Sequence, residues 1–207
     1  MGTRIEIHPK NPQPRMVQTV VDALEQGGVI IYPTDTVYAI GCDINNKKAL
    51  ERVCQIKGID PEKSQFSCIC PDLKTVSTYA VHITDPVFKM MRRACPGPYT
   101  FILEASKNIP KHFQSRRKTV GVRIVDHPIP LAIVKGLGRP ILTTSLPGDD
   151  TEYPMDPEEI YERYGNLVNI MVDGGWGGNM ASTVIDCSRG DDEITIIREG
   201  LGPIDIL

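Results

Sequence analysis

No apolar run in this 207-residue sequence is longer than a β-strand, and the opening MGTRIEIHPKNPQPR holds no apolar core of signal-peptide length. A membrane-spanning helix and a secretory leader are therefore not expected. Glu6 spoils the match to a myristoylation signal. Paired metal-binding motifs are missing too. Cys68 and Cys70 are spaced C-x-C, but two further ligands at metal-site spacing are absent and the four histidines lie far off in sequence, so no protein-bound metal is expected. Neither a Walker loop nor G-x-G-x-x-G occurs. The six cysteines, at 42, 54, 68, 70, 95 and 187, are scattered among apolar positions, which fits the reduced thiols of a cytoplasmic protein. The net charge of -3 argues against a surface wholly given to nucleic acid, while leaving room for a local basic patch.

What is present is the composition of a soluble globular protein, 41% hydrophobic and 24% charged, at a length that predicts one domain over residues 1–207. Short β-branched runs alternate with helical stretches, which predicts an α/β or α+β sheet domain. Strands are expected at 4–7, 29–32, 66–70, 99–103, 119–124, 141–144, 167–172, 182–186 and 194–198. Helices are expected from Pro14 to Gly27-Gly28, from Asn46 to Gly58, from Thr84-Asp85-Pro86 to Pro96, and over 128–137 and 157–165. The first should bury Met16, Val20, Ala23 and Leu24, and the third Val87, Phe88, Met91 and Cys95. In the second, Leu50, Val53 and Cys54 form an apolar stripe that Lys57 continues. A lysine there needs a place for its charge.

Four features carry candidate chemistry. Thr34 and Thr36 follow the carboxyl end of VIIY, where open α/β sheets place ligands; their hydroxyls either bind a ligand or cap a Pro-Thr-Asp turn. Gly121 and Arg123 share one strand face, the glycine permitting close approach and the arginine able to clamp a carboxylate or phosphate. A charge facing a covered sheet must be paired. The loop DGGWGG at 173–178 offers amides for an anion nest, with a flexible loop as the plainer reading. Arg116, Arg117 and Lys118 form a basic run that serves phosphates, RNA or simply water.

Taken in order, GGVIIYPTDTVYAIG, a helix ending in Lys57, PGPYTFIL, VGVRIVDHP, TTS at 143–145, STVID and IIREG resemble the YrdC-like family, from about Ala23 to Gly200. The resemblance implies a twisted mixed β-sheet flanked by helices around a concave, positively charged cavity. It also implies the short type, without an added C-terminal domain. The activity it implies is L-threonylcarbamoyladenylate synthesis: threonine, bicarbonate and ATP give the carbamoyl adenylate and pyrophosphate, for tRNA modification. Mg²⁺ would come with ATP.

Carried over residue by residue, the resemblance places Thr34 and Arg123 at the amino acid, with Thr36, Tyr38, Thr100 and Thr143 around it. Lys57 and Ser145 match two members of a Lys, Arg, Ser, Asn signature at the nucleotide phosphates and are the candidate catalytic pair. Ser182 and Arg198 match a later serine and arginine that complete the nucleotide site. The sequence departs from the family where Ile59 replaces the signature's arginine, Pro147 its asparagine and, in an ungapped reading, Cys68 a threonine-binding histidine. Isoleucine cannot imitate a guanidinium fork, nor proline an amide. These departures put the chain nearer the YciO branch and predict a different or more weakly handled substrate. The competing reading is a nucleotide- or double-stranded-RNA-binding protein that keeps the cavity, binding AMP, ATP or RNA without turnover, with Arg92, Arg93 and 116–118 as its basic support.

Overall fold

The structure, a computed structural model, describes residues 2–60, 66–113, 118–147, 152–190 and 193–206. In chain order the elements are β1 (Thr3–Glu6), α1 (Pro14–Glu25), β2 (Val29–Tyr32), β3 (Ala39–Asp43), α2 (Lys47–Lys57), β4 (Ser67–Ile69), α3 (Leu73–Tyr79), β5 (Ala80–Val81) and α4 (Asp85–Ala94). There follow β6 (Tyr99–Ala105), β7 (Thr119–Arg123), α5 (Pro128–Leu137), β8 (Ile141–Ser145), α6 (Pro157–Tyr164), β9 (Ile170–Asp173), β10 (Thr183–Asp186) and β11 (Thr195–Arg198). One mixed sheet runs β1-β9-β2-β3-β8-β4-β7-β6-β10-β11, with β5 beside β6. Among the described residues no helix is long and apolar enough to cross a membrane.

Local chemistry sets the helix ends. Pro14 opens α1 and Pro128 opens α5, each in the first turn where its missing N–H costs nothing. The Asn46 side chain accepts the Ala49 amide at 2.9 Å to start α2, and Gly58, with φ 67°, ends it. The basic end of α2 is Lys57.

Strand alternation divides the sheet into two faces. On one, Cys68, Val122, Phe101 and Leu103 pack with Val87, Met90 and Met91 of α4, while Ile31, Ile40, Cys42 and Leu142 pack with Leu50 and Val53 of α2 and Ile160 of α6. The other face is covered only in part. There α1 and α5 seal Ile30, Tyr32, Ile69 and Ile141 with Val20, Leu24, Ile133 and Val134. At about 1.5–3 kcal/mol for each fully buried aliphatic side chain, this layer holds the β1-β9-β2 side firmly. Past it, toward β6, β7 and β10, the same face is lined with hydroxyls and glycine.

Several expectations shift. β3 was not expected as a strand: AIGCD follows Tyr38 without a turn signal, and Gly41 is required because a Cβ there would lie 2.5 Å from the Leu142 carbonyl oxygen. Short α3 was also unexpected, having only Val76 buried, but Asp72 caps it by accepting the Thr75 amide at 2.7 Å. Met90 rather than Phe88 fills the inner face of α4, leaving Phe88 exposed. The strand expected at 167–172 is β9, Ile170–Asp173.

Candidate functional site

The open part of the sheet floors a cavity of about 180 Å³. Register builds that floor: Thr143 of β8 stands opposite Ser67 of β4, Ser67 opposite Gly121 of β7, and Gly121 opposite Ile102 of β6. All four line the cavity. A Cβ at Gly121 would lie 2.8 Å from the Ser67 hydroxyl, so the glycine keeps the floor low. One wall has Ala39 opposite Ser145, with Thr36 and Val37 above. The other has Thr100 opposite Val184 and Val184 opposite Arg198, closed by Ala181 and Ser182. No Asp, Glu or His stands among the described lining residues.

The PTDT turn is a hydrogen-bond relay. Thr34 donates its hydroxyl to the Val37 carbonyl at 2.6 Å and accepts the Thr36 amide at 3.1 Å. Its proton being used there, the 3.0 Å contact between the two hydroxyls must be donated by Thr36. Thr36 then accepts from Arg123 Nη2 at 3.0 Å, which leaves its oxygen able only to accept further bonds, and the residue lines the cavity. Thr34 is the fastener and does not line the cavity; Thr36 does.

Arg123 is buried, and its Nη2 also donates to Asp35 Oδ1 at 2.8 Å. Asp35 Oδ2 accepts the Asp126 amide at 3.0 Å, which fixes the carboxylate between turn and strand. Burial pulls the Arg123 pKa below arginine's usual value; Asp35 opposes that shift and the nearby Arg198 charge adds to it. The buried Nε–H of Arg123 has no hydrogen-bond partner among the described residues. Leaving such a donor unmet costs about 1–3 kcal/mol, so this edge of the arginine is set for an acceptor.

Across the cavity Thr100 and Ser182 share a 2.8 Å hydrogen bond, and Arg198 donates to the Ser182 carbonyl from Nε at 3.1 Å and from Nη2 at 2.9 Å. From the end of α2, Lys57 Nζ donates to the Leu146 carbonyl at 3.2 Å and stands 3.4 Å from the Ser145 hydroxyl. The charge at the end of the apolar stripe thus rests on the carboxyl end of β8. Thr36, Thr100, Arg123, Thr143, Ser145, Ser182 and Arg198 line one cavity, with Lys57 reaching its Ser145 corner.

Other residues fall elsewhere. Tyr38 packs in the core under α2, where its hydroxyl donates to the Gly175 carbonyl at 2.7 Å and accepts the Gly174 amide at 3.2 Å. Cys68 lies wholly buried on the far face, and burial pushes its thiol well above the ordinary range. Its neighbour Ser67 lines the cavity instead. Ile59 and Pro147 also lie outside the described lining: Ile59 follows the glycine cap of α2 at 36% exposure, and the Pro147 carbonyl accepts the Tyr164 hydroxyl. Three of the four glycines of DGGWGG answer to contact rather than looseness, and Gly175 to its φ of +89°. A Cβ at Gly174 would meet the Pro33 ring at 2.7 Å, at Gly177 the Tyr38 ring at 2.7 Å, and at Gly178 the Thr36 carbonyl oxygen at 2.0 Å. Arg116 and Arg117 lie outside the described residues, while Lys118, Arg92 and Arg93 are exposed. Sequence reasoning missed Asp35 and Ser67; the signal for Ser67 was a hydroxyl two residues from Ile69 on an otherwise apolar strand.

Comparison with known proteins identifies relatives that share the fold. The model of the Sua5/YciO/YrdC family, described as telomere recombination, matches residues 22–200. The Escherichia coli protein YciO, named as uncharacterized, is 42% identical over 96% of this chain and 95% of its own. The E. coli YciO crystal structure superposes with a TM-score of 0.92 at 40% identity, covering 100% of this chain and 99% of that one. A threonylcarbamoyl-AMP synthase of Halorhodospira halophila is 28% identical over 87% of this chain and 94% of its own. Sua5 of P. abyssi, crystallised with L-threonine, shares the fold at a TM-score of 0.87 and 23% identity, over 98% of this chain and 58% of that one. With the family's pattern running along most of its length, the protein belongs to the Sua5/YciO/YrdC family.

Proposed function

We propose that the cavity forms an acyl adenylate from a small amino acid, bicarbonate and ATP, in the manner of threonylcarbamoyl-AMP synthases, with tRNA threonylcarbamoyladenosine as its destination. The observation that carries this reading is one small cavity lined by both Arg123, whose Nε–H has no partner among the described residues, and Thr36, whose oxygen can only accept. An amino acid offers the complement: a carboxylate for the arginine and an N–H for the threonine.

The rest of the lining suits the chemistry. The amine combines with bicarbonate, losing water, to give a carbamate. The carbamate oxygen then attacks the α-phosphorus, and the bond to the β-phosphate oxygen breaks as pyrophosphate leaves. The nucleophile is already an anion and the leaving group needs no proton, so a cavity without carboxylate or histidine suffices. What the step needs is fixed positive charge where charge builds. Lys57 at Ser145 and Arg198 at Ser182 supply it, with Mg²⁺ entering as the ATP complex. The synthase relative and the threonine-bound Sua5 support the same substrate class.

Pyrophosphate release from ATP, Mg²⁺, bicarbonate and threonine tests it. The expected result is threonine-dependent release that Arg123→Met abolishes. A silent wild type alongside an active Ile59→Arg/Pro147→Asn double variant would overturn turnover. That outcome favours the second reading, a nucleotide- or double-stranded-RNA-binding protein, for which the exposed, uncharged Ile59 is the specific observation. Binding by that route weakens steeply with salt.

A further inference from the structure

Trp176 is the chain's single tryptophan and is 73% exposed. A lone exposed aromatic needs no explanation on a slack loop, but this loop is pinned on both sides of it. Tyr38 holds the Gly175 carbonyl and the Gly174 amide, the Gly175 amide donates to Asp173 Oδ1 at 2.9 Å, and the Gly177 amide donates to the Met155 carbonyl at 2.8 Å. Asp173 is in turn gripped by Arg4, whose Nη2 donates to its Oδ2 at 2.7 Å.

The loop leads into the cavity wall. Gly178 sits so close against Thr36 that a Cβ would lie 2.0 Å from its carbonyl oxygen, and Ala181 and Ser182 line the cavity itself. Only Gly177 separates Trp176 from Gly178, a backbone span of at most about 7 Å. The cavity, at about 180 Å³, is smaller than the ~300–1,000 Å³ that encloses a drug-sized ligand. It has room for a small acid and a reacting phosphate, and a nucleoside attached to that phosphate must lie across the rim. The cations at Arg198 and Lys57 draw the phosphates inward, while Arg123 faces the small acid.

We infer that Trp176 is the stacking platform for the nucleobase of a mononucleotide whose phosphates lie between Arg198 and Lys57. Pinning the loop beforehand removes the ordering cost that a free loop would meet on binding. Met180, half exposed on the same loop, adds a polarizable flank. The inference rests on the reading of the cavity as a phosphate and small-acid site.

Because no other tryptophan is present, emission excited selectively at tryptophan, beyond the tyrosine band, reports this position alone. Titrating the full chain with AMP should quench it saturably, whereas pyrophosphate, lacking a base, should bind in calorimetry without the same quench. Trp176→Ala should weaken AMP about 5- to 150-fold, the range of one base–aromatic stack, and leave pyrophosphate affinity unchanged; Trp176→Phe should restore most of the loss. Equal AMP affinity in Trp176→Ala and wild type would overturn the platform while sparing the cavity. Quenching by a short single-stranded oligoribonucleotide but not by AMP would also overturn it, assigning the tryptophan to RNA. If neither AMP nor pyrophosphate binds, the cavity reading fails and the platform with it.

Discussion

Asp35 and Arg123 meet at 2.8 Å as an ion pair whose side chains are only 7% and 9% exposed, so the turn after β2 and the end of β7 are locked by one buried contact. Removing one member strands the other's charge. Asp35→Asn should therefore destabilise the fold by about 3–5 kcal/mol in urea denaturation. Adding Arg123→Met to it should recover part of that loss, and a strictly additive double variant would show that the two residues are not coupled.

Lys57 stands apart from this lock. Its ammonium serves the carboxyl end of β8, so Lys57→Ala should lower the kcat of pyrophosphate release by about 30- to 1,000-fold, the effect of ~2–4 kcal/mol of lost transition-state stabilisation. Parallel thermal melts separate this from misfolding.

Gly178 is the point where the rim loop meets the turn. Gly178→Ala drives a Cβ into the Thr36 carbonyl, so the loop must shift. The expected cost is about 1–3 kcal/mol of stability together with weaker binding of small acids, read by denaturation and calorimetry. Alanine at Gly190, where nothing lies within 4 Å of the added atom, serves as a strain-only control for its φ of +87°.

His127 caps α5 by accepting the Ile129 amide on Nδ1 at 3.2 Å, and burial lowers its pKa below the ordinary 6.5, against the pull of Asp35 and Asp126. The unfolded chain thus takes up the proton first as pH falls. This contribution to stability is complete above about pH 6.5 and is lost on acidification toward the lower folded value. Urea midpoints between pH 7.5 and 5 should show the decline, and His127→Asn, which keeps a capping oxygen but not the titration, should flatten it.

Much of the architecture was legible because apolar period and turn chemistry act locally. Pro14, Asn46, Asp85-Pro86 and Pro128 mark helix starts that the structure keeps. β3 escaped because its neighbours, not its own residues, define it: Gly41 is dictated by the Leu142 carbonyl across the sheet. Phe88 and Met90 illustrate the same limit. Both fit an apolar helix face on paper, and only the packing of α4 on the sheet chose between them.

By itself the sequence determined that Gly121 and Arg123 share a face, that Lys57 ends a buried stripe and that Arg123 requires a partner, since a strand's period of two and a helix's of 3.6 are properties of the chain alone. Tertiary structure decided which face is open. α4 covers the Cys68 face, while α1 and α5 cover the opposite face only in part, so Ser67 rather than Cys68 meets the cavity. It also decided that Thr34 fastens the turn while Thr36 faces inward, and that Asp35 is the partner Arg123 required. Hydrogen-bond direction and helix coverage depend on atoms distant in the chain, and local pattern carries no record of them.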